Sequence, residues 1–275
     1  MKKLKILSFF LLLFLTACQK PVTIETKEVT KTNTPTIFIH GYSGNSHTMN
    51  KMIKTLEKST VTEEEMVIRV FEDGTLDVET DLKNEFSQNN PSINLIFDNN
   101  TSSQWHQAKW IKSALTYLKA EFKVEKVNLV GFSMGGISSF LYMETFSNDS
   151  TQPVVEKLVT IGAPFNEFID DNEQSEESIL EKGPAQISEQ LANYQTLVQN
   201  LPSESRYFLI GGQISGDKLS DGTVPLNSSL GIYSLLKQNN LFVKHQIILG
   251  NEGKHSLLKK NPEVIQLVGN FIFEN

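Results

Sequence analysis

Short apolar runs alternate with longer amphipathic stretches along most of the chain, and this alternation limits the folds it can adopt. Strands alternating with helices are typical of a mostly parallel central sheet with helices on both faces. The run Val127–Val130 is largely apolar, as expected of a strand buried on both faces. The pattern predicts seven strands: Thr36–His40, Glu65–Phe71, Asn94–Asp98, Lys126–Gly131, Val155–Gly162, Arg206–Gly211 and Val243–Leu249.

The stretches between these strands carry helical patterns, most clearly Ser103–Phe122, Met134–Phe146 and the last segment, Ser256–Phe273. One region departs from the alternation. Residues 165–205 have an acidic first half, which indicates a solvated face, and a second half, Pro184–Gln199, that predicts a helix. Long excursions between core strands often cover active sites. We therefore expect residues 165–205 to form a helical, lid-like insertion.

The N-terminus has the pattern of an export signal. Three lysines precede the apolar run Ile6–Leu15, which is too short to span a bilayer as a mature helix. The sequence Leu-Thr-Ala-Cys then ends at Cys18, the only cysteine, and resembles the bacterial lipobox in which this residue is lipidated. The sequence predicts a lipoprotein signal peptide over residues 1–17, a flexible tether over 18–34 and a folded domain over 35–275. The protein would be lipid-anchored at Cys18 on the extracellular face of the bacterial cell membrane.

Charge and motif content exclude several other functions. The net charge is −7 and no cluster of Lys and Arg occurs in the folded part, which argues against nucleic-acid binding, because phosphate contacts need clustered cations. No Cys/His cluster indicates zinc, and no phosphate-binding loop motif indicates a nucleotide. We expect no metal and no cofactor. The acidic run matches no recognised calcium loop.

The predicted strand Lys126–Gly131 leads into Gly-Phe-Ser-Met-Gly, residues 131–135, which matches G-x-S-x-G. A serine on a sharp turn between a strand and a helix points out above the sheet, beside the positive end of the helix dipole. The strand before Ser133 and the helix after it are the context that a catalytic serine nucleophile requires. A glycine-rich packing turn is the alternative interpretation.

A second loop, His40-Gly41-Tyr42-Ser43-Gly44, follows the first predicted strand. A loop in this position can supply one oxyanion donor to a serine nucleophile, and the residue after the nucleophile can supply the other. The predicted oxyanion hole consists of the backbone N–H groups of Tyr42 and Met134. His40 is expected to have a structural role.

Four segments occur in an order that resembles the α/β-hydrolase superfamily: the residues 40–44 loop, the residues 131–136 elbow, Ser-Asp-Gly-Thr-Val-Pro at 220–225 and Gly-Lys-His-Ser at 253–256. More narrowly, the chain from about Pro35 onwards resembles the lipoprotein-type cell-surface hydrolases of Gram-positive bacteria. The resemblance implies a serine hydrolase of esterase or lipase type with no cofactor. It also implies that Asp221, in its Ser-Asp-Gly-x-Val-Pro setting, is the catalytic acid, with Asp217 as the alternative.

The general base is predicted to be His255, which follows the last strand and opens the final helix. An imidazole suits the role because its ordinary pKa is close to neutral. His245 is the alternative, although it lies inside a predicted strand, whereas His47 and His106 lie far from the expected position. Trp105 and Trp110 share one predicted helix and are expected to pack in the core, with a role in a substrate pocket as the alternative.

These features predict a serine hydrolase that acts on a small-molecule or lipid ester, or a related acyl bond, through an acyl-enzyme intermediate. An inactive binding module at the cell surface and an acyltransferase remain alternatives at this stage. The sequence leaves the natural substrate and the oligomeric state open.

Overall fold

The computed structural model describes residues 29–170, 174–216 and 219–273. The predicted signal peptide, Cys18 and Asp217 lie outside these residues. Eight strands form one sheet: β1 (Thr36–Ile39), β2 (Glu63–Val70), β3 (Leu76–Thr80), β4 (Pro91–Phe97), β5 (Lys126–Phe132), β6 (Val154–Ile161), β7 (Arg206–Gln213) and β8 (Phe242–Leu249).

Nine α-helices connect or flank these strands within the described ranges. They are α1 (Asn50–Lys58), α2 (Gln104–Phe122), α3 (Met134–Phe146), α4 (Glu176–Lys182), α5 (Glu189–Leu197), α6 (Leu226–Ser229), α7 (Tyr233–Gln238), α8 (His255–Leu258) and α9 (Pro262–Phe273).

The strand order is β3-β2-β4-β1-β5-β6-β7-β8, and every neighbouring pair is parallel except β2 and β3. The predicted α/β-hydrolase fold class, a mostly parallel sheet covered on both faces, is confirmed. In this arrangement all parallel strands end at one edge of the sheet. The loops that leave that edge are therefore positioned to build a common site.

Two hydrophobic cores form, one on each face of the sheet. Side chains along a strand alternate between faces, so Phe38 of β1 packs in one core while Ile37 and Ile39 pack in the other. Helices α1 and α9 cover the first core, and α2 and α3 cover the second. The sheet is therefore enclosed on both sides, and its exposed functional surface lies at the strand ends.

All seven predicted strands are present, but β3 was not predicted. Its sequence Leu-Asp-Val-Glu-Thr has no buried residue, because β3 is an antiparallel strand at the edge of the sheet. Leu76 and Val78 alternate with charged residues but are only partly buried against the core, so this short edge strand gives a weak signal in the sequence. The insertion between β6 and β7 contains α4 and α5, and α5 begins at Glu189 rather than at Pro184.

The last predicted helix, Ser256–Phe273, is instead two helices, α8 and α9. Pro262 begins α9, because proline has no N–H for a bond to the preceding turn and suits the first position of a helix. The break allows α8 to remain beside the sheet edge while α9 runs back along its face.

The segment predicted as a tether contacts the domain in its last part. Val29 packs against one hydrophobic core, and the N–H of Thr30 donates to the carbonyl of Phe273 at 3.1 Å. Asn90 donates to the carbonyl of Thr30 and exchanges hydrogen bonds with Thr32. A flexible tether, which stays a prediction, would therefore end before Val29.

Candidate active site

Ser133 lies on a sharp turn between β5 and α3, with φ 52° and ψ −124°. Its N–H donates to the carbonyl of Ile161 on β6 at 2.8 Å, which fixes the turn to the neighbouring strand. A non-glycine residue at positive φ is strained by roughly 1–3 kcal/mol and persists only where the surroundings enforce it. The surrounding strand and helix thus hold the Ser133 side chain at the carboxyl edge of the sheet.

His255 opens α8 and reaches Ser133 across the sheet edge. Its Nε2 atom lies 3.0 Å from the Oγ atom of Ser133, and its Nδ1 atom lies 2.6 Å from Oδ2 of Asp221. The backbone N–H of His255 also donates to the carbonyl of Asp221 at 2.9 Å. The structure therefore brings together the three side chains that the sequence predicts as nucleophile, base and acid.

Asp221 is buried, and its second oxygen has its own partners. Oδ1 accepts the backbone N–H groups of Thr223 at 2.9 Å and Val224 at 2.6 Å. With both oxygens acting as acceptors, Nδ1 of His255 carries the ring proton and Nε2 is free to accept the Ser133 hydroxyl proton. This is the tautomer that a general base requires.

One face of the His255 ring packs on Phe132, with ring centroids 4.9 Å apart. The Nζ atom of Lys259 lies 4.2 Å from the centroid of the same phenyl ring. Partial burial lowers the pKa of Lys259. Phe132 and the hydrogen bond that Nδ1 donates to Asp221 together fix both the tilt and the position of the imidazole.

The loop after β1 lies directly against Ser133. A Cβ atom on Gly41 would be 2.8 Å from the Cβ of Ser133 and 3.0 Å from the carbonyl oxygen of Phe132, so only glycine fits without a shift. The N–H groups of Tyr42 and Met134 have no acceptor within the part of the chain that the structure describes. Both remain available to a ligand beside Ser133, and their oxyanion role stays a prediction.

His40 holds this loop in place. Its Nδ1 donates to the carbonyl of Gly41 at 2.7 Å, and its Nε2 accepts the backbone N–H of Phe97 at 3.1 Å. Burial lowers the pKa of His40, which favours this neutral, doubly bonded ring. Both ring nitrogens are thus committed to backbone groups, which leaves neither for proton transfer with a substrate.

The alternative histidines do not join this cluster. His245 lies in β8 with its ring 4.9 Å from that of Tyr233, and partial burial lowers its pKa. His106 contacts Ser102 at the start of α2. His47 is exposed in the loop before α1. Within the described residues, none of these three histidines hydrogen-bonds to Ser133, whereas His255 does.

The two tryptophans differ in burial, and the prediction that both pack in the core is wrong for Trp105. Trp110 is buried and donates its indole N–H to the carbonyl of Glu72, whereas Trp105 is 45% exposed. Residues five apart on an α-helix differ by roughly 140° around the axis, so both could not share one buried face. That spacing is the signal that could have revealed the exposed Trp105.

Trp105 lines a groove of about 570 Å³ whose wall includes Met134, the residue that follows Ser133. Residues from α2, α3 and the insertion form its walls: Ser103, Gln104, Trp105, Met134, Ile137, Pro164, Glu167, Phe168, Ile169 and Gln190. Sequence reasoning did not place this groove, because its walls come from segments far apart in the chain. Another cavity, of about 590 Å³, lies at the opposite edge of the sheet, away from the three clustered side chains.

Over the described ranges, no group of three or more His, Cys, Asp or Glu side chains is arranged to hold a metal ion.

None of the described helices combines the length and the apolar character needed to cross a membrane.

The parallel sheet, the strained serine turn and the loop order define an α/β-hydrolase. Residues 23–275 match the family described as "Alpha/beta hydrolase of unknown function (DUF915)", and the chain belongs to that family. No curated protein matches the chain.

Solved structures resemble the whole domain. A Listeria innocua gene product is 26% identical with a TM-score of 0.81, and the match covers 88% of this chain and 95% of the other. A predicted cell surface hydrolase from Lactobacillus plantarum is 23% identical with a TM-score of 0.68, covering 87% and 91%. An esterase from Pyrococcus furiosus, 15% identical with a TM-score of 0.53, covers 88% and 81%. The expected resemblance to cell-surface hydrolases of Gram-positive bacteria is confirmed.

Proposed function

We propose that the protein is a serine hydrolase that cleaves a carboxylic ester or a related acyl bond. The observation that carries the proposal is the continuous hydrogen-bonded line from Ser133 through His255 to Asp221, with distances of 3.0 and 2.6 Å. Family membership makes a hydrolase the expected activity. The fold alone does not prove activity, so the argument depends on the geometry of these side chains.

In the first half of the reaction, His255 accepts the hydroxyl proton of Ser133 at Nε2 while Oγ attacks the carbonyl carbon. The negative charge that forms on the carbonyl oxygen is stabilised by the free N–H groups of Tyr42 and Met134. Asp221 stabilises the imidazolium that forms. The imidazolium then gives its proton to the leaving alcohol, and an acyl-enzyme ester at Ser133 remains.

In the second half, His255 accepts a proton from water, and the resulting hydroxide attacks the acyl carbon. Collapse of that intermediate releases the carboxylic acid and returns the proton to Ser133. No metal or redox group is required to balance either half. An acyltransferase would replace water with another alcohol or an amine at this second step, and product analysis with added acceptor distinguishes the two.

The test is labelling with a fluorophosphonate, which reacts with an activated serine. We expect the wild type to be labelled and Ser133→Ala not to be labelled. His255→Gln should also lose labelling, while His245→Gln, the matched control, should retain it. An unlabelled, folded wild-type protein would instead favour an inactive binding module.

Attachment to the extracellular face of the cell membrane through lipidated Cys18 is a further part of the proposal. It is supported by the lipobox-like sequence around Cys18. A predicted cell surface hydrolase also shares the fold. Cells fed an alkyne-tagged fatty acid should label the wild type but not Cys18→Ser, and the variant should move from the membrane fraction to the medium. Equal labelling or equal membrane retention of the two would contradict lipid anchoring.

A further inference from the structure

We infer that the groove beside Ser133 binds the acyl chain of an uncharged ester of medium chain length. This inference rests on the proposed function and adds the substrate class. Trp105 and Phe168, which line the groove, are 45% and 63% exposed. Met134, Ile137 and Pro164 complete an apolar surface between them. Apolar side chains gathered at one exposed concave site mark a binding surface for an apolar ligand.

The position of the groove indicates that it receives the acyl part rather than the alcohol part. Met134 provides both a proposed oxyanion N–H and a side chain of the groove wall. The leaving alcohol must lie near Nε2 of His255, because the imidazolium protonates it. Neither Ser133 nor the segment around His255 lines the groove, which reaches the nucleophile only through the adjoining residue Met134. A carbonyl held at Ser133 therefore directs its alcohol toward His255 and its acyl chain into the groove.

The exposed position of Phe168 is fixed by the backbone before it. Glu167 has φ 53°, a left-handed conformation that is unfavourable for a residue with a side chain. Its carbonyl accepts the hydroxyl of Ser228 at 2.6 Å, and the same hydroxyl accepts the N–H of Asn166 at 2.9 Å. These two hydrogen bonds, one buried and one partly buried, hold the loop in the conformation that exposes Phe168.

Polar side chains close the end of the groove that lies toward α5. Gln104 donates to the side-chain oxygen of Gln190 at 2.9 Å. Gln190 in turn donates to the carbonyl of Pro164 at 2.7 Å, and Tyr194 donates to Gln104 at 3.0 Å. An apolar chain gains nothing from contact with these amides, so they set a limit on chain length. Glu167 is one of the lining residues, and a negative charge this close to the groove disfavours chains that end in a carboxylate.

The volume is consistent with a chain of medium length. An apolar cavity of about 150 Å³ holds a benzene ring of six carbons, so about 570 Å³ accommodates an eight-carbon acyl chain even where part of the groove is open to solvent. Each methylene transferred from water into such a site increases the binding constant by about fourfold when its burial is complete. An octanoyl ester should therefore exceed an acetyl ester by at least about tenfold in kcat/KM.

The experiment compares p-nitrophenyl acetate, octanoate and palmitate, which share one leaving group. We expect the wild type to prefer octanoate over both acetate and palmitate. Trp105→Ala should lower the octanoate-to-acetate ratio by about tenfold, since it removes one wall of the groove. Leu249→Ala is the matched control, because Leu249 is an exposed apolar residue at the same sheet edge that does not line the groove. Its ratio should equal that of the wild type.

The outcomes separate the acyl-chain inference from the proposed function. If acetate is hydrolysed at Ser133 but the ratio is flat, or is unchanged in Trp105→Ala, the groove assignment is wrong and the hydrolase stands. A series of alkyl acetates varies the length of the alcohol instead. If kcat/KM rises with the length of that alcohol, the groove holds the alcohol and the acyl assignment is wrong.

A binding measurement tests the groove even without turnover. Methyl octanoate added to Ser133→Ala should shift the emission of exposed Trp105 to shorter wavelengths, and the shift should vanish in a double variant that also carries Trp105→Phe. Trp110 is buried and should contribute little. If the wild type hydrolyses no ester but this shift occurs, the hydrolase proposal fails and the groove remains a binding site. Absence of the shift overturns the groove assignment.

Discussion

Gly162 lies against the His255 ring: a Cβ atom at position 162 would be 3.0 Å from Nδ1 of His255 and 3.2 Å from Oδ2 of Asp221. Gly162 also has φ 57°, and its N–H donates to the carbonyl of Ile210 at 2.8 Å. The end of β6 therefore passes so close to the histidine–aspartate pair that a side chain at position 162 would disturb it.

We expect Gly162→Ala to lower kcat/KM by at least about tenfold, because displacing a proton-transfer group by a fraction of an ångström is costly. Stability should fall by about 1 kcal/mol, since alanine is strained at positive φ. Steady-state kinetics with an ester and urea unfolding measure the two effects. Gly216→Ala is the control, because a Cβ there would meet no atom within 4 Å. A Gly162→Ala protein with wild-type kinetics would show that the contact has no functional role.

Asp221 and Asp217 are distinguished by asparagine substitutions. Asparagine at 221 would keep an oxygen for the N–H groups of Thr223 and Val224 but could present an amide N–H to Nδ1 of His255. The ring would then adopt the wrong tautomer, with an expected loss in kcat of about 10³–10⁴-fold, as in other serine hydrolases. Asp217→Asn should change kcat by less than about twofold. The reverse ranking of these two variants would make Asp217 the catalytic acid.

Local sequence was sufficient to predict the central strands and the serine turn. A buried parallel strand is apolar throughout, and the turn needs small residues at fixed spacing, so β5 and Ser133 are both visible in one short window. In the sequence, only the family pattern distinguishes Asp221 from Asp217, since both are loop aspartates. The structure shows which other groups contact Asp221.

Other features depend on contacts between distant residues. Trp105 and Phe168, which line the same groove, are 63 residues apart in the sequence. Thr32 and Asn90, which are hydrogen-bonded, are 58 residues apart. No periodicity predicts such pairings. The strand β3 was missed for a different reason: it pairs at an edge, where no residue of the strand is buried.

The segment before Pro35 should stabilise the domain. Asn90 accepts the N–H of Thr32 at 2.8 Å and donates to the carbonyl of Thr30 at 2.9 Å, and its own N–H donates to the carbonyl of Thr32. Each such bond contributes about 0.5–1.5 kcal/mol net. A chain that begins at Pro35 should therefore be less stable in urea, by about 2–4 kcal/mol, than one that begins at Val29. Equal urea midpoints would show that residues 29–34 are held only loosely.

Glu144 on α3 should make the protein progressively less stable as pH rises from 4.5 to about 9. Both of its carboxyl oxygens are buried and have no hydrogen-bond partner among the described residues. Burial raises its pKa from 4.5 to about 9, because the charged form is poorly solvated. Between these two values the folded state binds more protons than the unfolded state, so the contribution of Glu144 to stability is complete below pH 4.5 and is lost as pH rises toward 9.

Glu144→Gln removes the ionisation and keeps the size of the side chain. We expect the stability of Glu144→Gln relative to wild type to rise with pH between 5 and 9, by up to about 1.4 kcal/mol per pH unit. Thermal unfolding followed by circular dichroism at several pH values measures the difference. Glu125→Gln is the control, because the Glu125 side chain is 71% exposed, and its difference from wild type should stay nearly constant. If the stability difference between Glu144→Gln and wild type is also independent of pH, water reaches the Glu144 carboxyl group in solution. Only a solvated carboxylate has the same pKa in the folded and unfolded states.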